Sequence, residues 1–142
     1  MINNFSMKAF NIEATSHSPK VSFDPEKQLF EISGESRPEN ASVFYEPILN
    51  WIKDFEATFD GNSEAFNDPF TFDFKLDYFN STSAKFILDF CKKIGQLQVK
   101  GLQLNVRWLY EEDDDDMLEV GKEMARMAKI PFEYVEIEID AN

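Results

Sequence analysis

Between Phe70 and Tyr78 the chain alternates without a break: Phe70, Phe72, Phe74, Leu76 and Tyr78 are apolar or aromatic, and Thr71, Asp73, Lys75 and Asp77 between them are polar. Successive side chains of a strand point to opposite faces, so only a strand with one buried and one wet face matches this pattern. The same signature recurs at Leu102, Leu104, Val106, Trp108 and Tyr110, set against Gln103, Asn105 and Arg107. A parallel sheet covered by helices on both faces reads instead as continuous apolar runs. Two central strands with one wet side each therefore predict helices on a single face and argue against a Rossmann-type sandwich. Asp73, Lys75, Asn105 and Arg107 become exposed polar positions on the other face.

Helical spacing separates these strands. Phe44, Ile48, Trp51, Ile52, Phe55 and Phe59 predict a helix over Ser42 to Phe59, with Pro47 making its first turn irregular or its start later. Phe86, Ile87, Phe90, Cys91 and Ile94 predict a second helix ending near Gly95, and Met117, Gly121, Met124, Ala125 and Ala128 a third. Ahead of them, Ala9 to Ala14, Lys20 to Asp24 and Gln28 to Ser33 are three short extended segments, the last two a hairpin about Asp24-Pro25. Gly34 to Asn40 reads as a loop into the first helix, Asp60 to Ser63 and Asn67 to Pro69 as a polar connection, and Phe132 to Ile139 as a last strand. The order is β-β-β-α-β-α-β-α-β: an α/β chain of α+β-like character, with a mixed sheet and helices mainly on one face.

A chain of 142 residues with 43% apolar content suits one domain spanning 1–142 with one substantial core. Fifteen phenylalanines against five glycines make that core aromatic. One cysteine and one histidine exclude an internal disulfide and a Cys/His zinc set. No signal peptide or spanning stretch is evident, which makes the cytoplasm the expected location. With 27 acids against 14 bases, a formal charge of −13 disfavours nucleic acid and anionic membranes as partners.

The stretch richest in chemistry is Asp77-Tyr-Phe-Asn-Ser-Thr-Ser-Ala-Lys85, which puts consecutive hydroxyls Ser81, Thr82 and Ser83 where a central strand gives way to a helix. Asn80 or Ser81 there serves as a cap for a backbone N–H. Ser81 or Thr82 can also accept a phosphoryl group, because free N–H groups and the helix dipole stabilise an anion at a helix start. Asn80, Ser83 and Lys85 then flank the acceptor as partner-binding residues.

The other chemical candidates are weaker. Glu111 to Asp116 lacks the spaced ligands and turning glycine of a calcium loop and reads as a solvated helix start, with a partner-facing patch as the alternative. His17 has no orienting acid, Cys91 lies on an apolar stripe, and no glycine-rich phosphate loop occurs. An enzyme is not expected, nor is a cofactor or a metal; a constitutive interaction domain is the alternative to a switch.

Three motifs in combination, Gly34-Glu-Ser-x-Pro-Glu-Asn40, Leu76-x-Tyr-Phe-Asn-Ser-Thr-Ser-Ala-Lys85, and Trp108-x-Tyr110 followed by acids and Met117-Leu-Glu119, resemble the SiaC family of bacterial regulatory phosphoproteins. That family is similar in fold to STAS-domain anti-anti-sigma factors, so the resemblance implies a STAS-like sheet. It also implies a Ser/Thr protein kinase and a PP2C-type phosphatase as partners acting at the strand-to-helix junction. The unphosphorylated form is then expected to bind and activate a diguanylate cyclase. The family acceptor follows the motif asparagine, which is Ser81 here; the order Asn-Ser-Thr in place of Asn-Thr-Ser keeps Thr82 open.

Overall fold

The alternating segment forms β4 (Phe70–Phe79), an inner strand of a six-stranded sheet in which strand order follows chain order. The computed structural model describes residues 7–61, 66 and 68–138. The other strands are β1 (Phe10–Ile12), β2 (Lys20–Asp24), β3 (Leu29–Ser36), β5 (Leu104–Glu111) and β6 (Glu133–Ile137), and the helices are α1 (Ala41–Gly61), α2 (Ser81–Val99) and α3 (Asp115–Ala128). The first three strands pair antiparallel and β3 to β6 pair parallel, as the element order predicts. Residues 62–65 and 67 of the expected polar connection, and Ile139 of the expected last strand, lie outside the described residues.

Each parallel crossover steps to the next strand in the same direction, so crossovers of one hand bring all three helices to one face. The packing agrees: Phe30 meets Trp51 and Phe55 of α1, Phe72 and Phe74 meet Phe90 of α2, and Trp108 lies under Gly121 of α3. The opposite face is polar, and there Arg107 grips Asp73 in a two-pronged pair at 2.7 and 2.8 Å. The core is a mesh of rings such as Phe30–Phe72, 4.6 Å between centroids, and Phe23–Trp51, 4.9 Å. Cys91 is buried within it.

Several boundaries differ from the sequence-based expectation, each for a physical reason. The expected loop from Gly34 begins as strand: β3 continues to Ser36, with Gly34 at φ +107° beside a register shift. Gly34 pairs with Leu76 and Glu35 with Tyr78, which leaves Asp77 as an extra residue in β4. This bulge reverses the alternation, so Tyr78 is 48% exposed and Phe79 packs against the core in its place.

Helix α1 begins at Ala41 with Pro47 inside it, against the expectation of an irregular or delayed start. Pro47 and Val43, whose carbonyl loses its partner, both stand on the exposed side, where water can serve that oxygen. Helix α2 does not stop near Gly95 but runs to Val99, because Gly95 is where α2 meets the end of α3. A Cβ there would lie 2.9 Å from Ile130 Cγ2.

Candidate functional site

Strands β3, β4 and β5 end along one edge, and all three helices start there. Asn40 caps α1, accepting from the Val43 N–H at 3.2 Å; Asn80 caps α2, accepting from the Ser83 N–H at 2.8 Å; Asp114 caps α3, accepting from the Met117 N–H at 3.0 Å. Asn80 is in extended geometry, φ −83° and ψ 172°, and its own N–H donates to the Ser36 carbonyl at 3.1 Å. The junction is thus tied to β3 on one side and to α2 on the other.

The three hydroxyls that follow Asn80 have different fates. Ser81 and Thr82, the first two residues of α2, are exposed, and among the described residues neither hydroxyl has a hydrogen-bond partner. Ser83 is 0% exposed, which corrects its expected place on a partner surface: one helical step turns its side chain into the protein. Ser36 Oγ donates to Ser83 Oγ at 2.9 Å and also meets the Tyr45 hydroxyl at 2.6 Å. Burial pushes the Tyr45 phenol up, while the hydrogen bonds of Ser36 and Ser83 pull it the other way. Lys85 is exposed, with its Nζ 5.3 Å from the Phe86 ring centroid, one helical turn from both free hydroxyls.

Electrostatically the three helix starts are not equivalent. Helix α3 carries Asp115 and Asp116 in its first turn besides its Asp114 cap, so the acidic segment is a helix start as its sequence suggests. Helices α1 and α2 carry no acid in the first turn, and both caps are neutral. The positive pole of α2 is therefore unneutralised beside two free hydroxyls. Elsewhere, His17 stands in the exposed loop between β1 and β2 against Ser16 Oγ, 2.9 Å away. Among the described residues no group of His, Cys, Asp and Glu could hold a metal ion.

Sequence reasoning missed the buried Ser36–Tyr45–Ser83 cluster. A signal for Tyr45 was available, since it falls on the Ile48, Ile52, Phe55 stripe; Phe44, chosen in its place, is only half-buried.

The SiaC family, whose members are described as SiaC family regulatory phosphoproteins, matches residues 12–137. The chain belongs to this family. Its SiaC fold is borne out by solved structures: SiaC of Pseudomonas aeruginosa superposes with a TM-score of 0.76 at 22% identity, covering 94% of this chain and 100% of that one. A crystal structure of the diguanylate cyclase SiaD in complex with its activator SiaC, from the same organism, also matches at TM-score 0.76 and 22% identity, covering 92% of this chain and 99% of that one. An uncharacterized protein of Pseudomonas aeruginosa strain UCBPP-PA14 is 25% identical over 126 residues, 89% of this chain and 94% of its own length. This SiaC family member has no helix, among its described residues, long and apolar enough to cross a membrane.

Proposed function

We propose that this SiaC family member is a non-catalytic cytoplasmic switch that binds and activates a diguanylate cyclase when Ser81 is unphosphorylated. A Ser/Thr kinase closes the switch and a PP2C-type phosphatase reopens it. The observation that carries the reading is the pair of free, exposed hydroxyls on the first turn of α2, where cap and first turn hold no acid. Phosphorylation adds about 1.5 to 2 negative charges, and an acid-free helix start is where those charges cost the fold least. The description of the family as regulatory phosphoproteins and the complex formed by SiaC with SiaD support the same reading.

The consequence is electrostatic rather than conformational. Ser81 and Thr82 point away from the core, so a dianion there leaves the rings beneath undisturbed and changes only what a partner meets. A cyclase surface fitted to neutral hydroxyls and Lys85 is then repelled. Ser81 is the proposed acceptor because it directly follows the motif asparagine, Asn80, and Thr82 is the alternative.

Incubation with the cognate kinase should raise the intact mass by one phosphate, with the rise lost in Ser81→Ala and kept in Thr82→Ala. The reverse pattern moves the acceptor to Thr82, and a rise that survives in the double mutant refutes the site. Cyclase binding that is equal for wild type and Ser81→Asp would instead mark a constitutive interaction domain.

A further inference from the structure

At the end of the molecule opposite the hydroxyls, the C-terminal halves of α2 and α3 flank a groove of about 660 Å³. Its rim carries Lys92, Lys100 and Lys129, its walls include Val99 and Met127, and Gly95 lies in its lining. From Lys92, Val99, Lys100, Met127 and Lys129 around this groove we infer a second binding surface, one that takes an acidic segment of a partner polypeptide with an apolar side chain among its carboxylates.

Charge complementarity selects that occupant. The chain has 27 acids, yet no described residue lining the groove is acidic and three are lysines. The net charge of −13 acts against an anionic partner at long range, but at physiological salt it is screened beyond about 8 Å, so Lys92 and Lys129, the two groove lysines without an ion pair among the described residues, dominate at contact. Helix-dipole compensation accounts for Lys100 and Lys129, which follow the last turns of α2 and α3. It does not account for Lys92, two turns earlier, nor for Val99 at 88% exposure and Met127 at 37%.

Lys129 holds a left-handed backbone, φ 62°, where glycine is the unstrained choice, and so keeps a charge at the mouth of the groove. Lys100 is engaged with Glu56 and Asp60 on its α1 side. Lys92 and Lys129 are exposed and, among the described residues, free of ion pairs. The carbonyl-rich ends of both helices disfavour a concentrated phosphate dianion, whereas carboxylates on their own stems can meet lysines spread along a rim.

The test uses the full chain and a synthetic amphipathic peptide of alternating glutamate and leucine pairs, followed by backbone amide NMR and fluorescence anisotropy. The expected result is shifts confined to residues 92–100 and 127–130, with affinity falling about tenfold in Lys92→Glu, Lys129→Glu and on raising salt from about 0.05 to about 0.3 M. Both lysines are exposed, so the variant should keep the wild-type melting temperature, and Val99→Asp gives a second, independent loss. Shifts elsewhere, no binding, or an affinity indifferent to Lys92 and Lys129 would overturn the inference. So would self-association of wild type abolished by neutralising Glu111 to Asp116, which makes a second copy the occupant. Phosphorylation at Ser81 is read separately by mass, so the switch and the groove can fail independently.

Discussion

Ser36 Oγ lies 2.9 Å from Ser83 Oγ, joining the last residue of β3 to the first turn of α2 directly beneath the exposed hydroxyls. Because Ser36 also meets Tyr45 of α1, one hydroxyl serves three elements at the edge where the site is built. No buried side-chain polar atom among the described residues lacks a partner, so the hydrogen bonds of this cluster offset the cost of burying its hydroxyls.

The cluster makes a ranked prediction. Ser36→Ala removes both hydrogen bonds and should cost about 1–3 kcal/mol. Tyr45→Phe leaves the Ser36–Ser83 bond in place and should cost less. Urea denaturation measures both, and equal losses would show that Ser36 is not the hub. In neither variant should the phosphate acceptor change, because Ser81 and Thr82 face outward.

Asn80 separates capping from charge. Asn80→Ala removes the acceptor for the Ser83 N–H and should destabilise by about 1 kcal/mol. Asn80→Asp caps equally well and should keep the stability of the unphosphorylated protein. It also places a carboxylate next to the acceptor, so phosphorylation of that variant should lower the melting temperature by a margin that wild type does not show. Calorimetry of the two forms of each protein decides it.

How much of this was legible in the sequence follows from how local each determinant is. The strand alternation at Phe70 to Leu76 and the apolar stripes of the helices are local periodicities, and the element order and single covered face follow from them. The spatial order of the strands is seen only in the sheet pairing. The reversal at Tyr78 was hidden because the extra residue, Asp77, is defined only by pairing with Gly34 and Glu35 on another strand. Gly95 looks like a helix stop by itself and becomes a helix interior only once Ile130 is known to press on it. At the site, Asn80 and the neighbouring hydroxyls were readable as a strand-to-helix junction. The inward turn of Ser83 depends on Ser36 and Tyr45, which are remote in sequence.

The two helix glycines should respond differently to a methyl group. A Cβ on Gly121 would fall 2.4 Å from Trp108 Cδ1, and Trp108 is held by its Nε1–H donating to the Met117 carbonyl at 2.9 Å. Overpacking of that kind costs about 1–3 kcal/mol, more than the roughly 1 kcal/mol that alanine gains over glycine in a helix. Gly121→Ala should therefore lower the denaturation midpoint. At Gly95 a Cβ would lie 2.9 Å from Cγ2 of the buried, β-branched Ile130 and 3.2 Å from the Ala128 carbonyl oxygen, a looser clash than that on Trp108. Gly95→Ala should also destabilise, but by less than Gly121→Ala.

Glu56 supplies the pH dependence. Its carboxylate joins α1 to α2 through Lys93 at 3.1 Å and Lys100 at 3.0 Å, and the hydrogen bond from Lys100, then that from Lys93, holds its carboxyl below the usual 4.5 despite partial burial. A folded-state value below the unfolded one means that the unfolded chain takes up the proton first. The resulting stabilisation is complete above about pH 4.5 and disappears as pH falls through the depressed folded value. Glu56→Gln removes the charge at every pH, so the stability gap between wild type and variant should be open at neutral pH and close as pH falls through the depressed folded value. Measuring both proteins at each pH cancels the titration of the many other acids, and a gap that stays constant would show that the ion pairs add nothing.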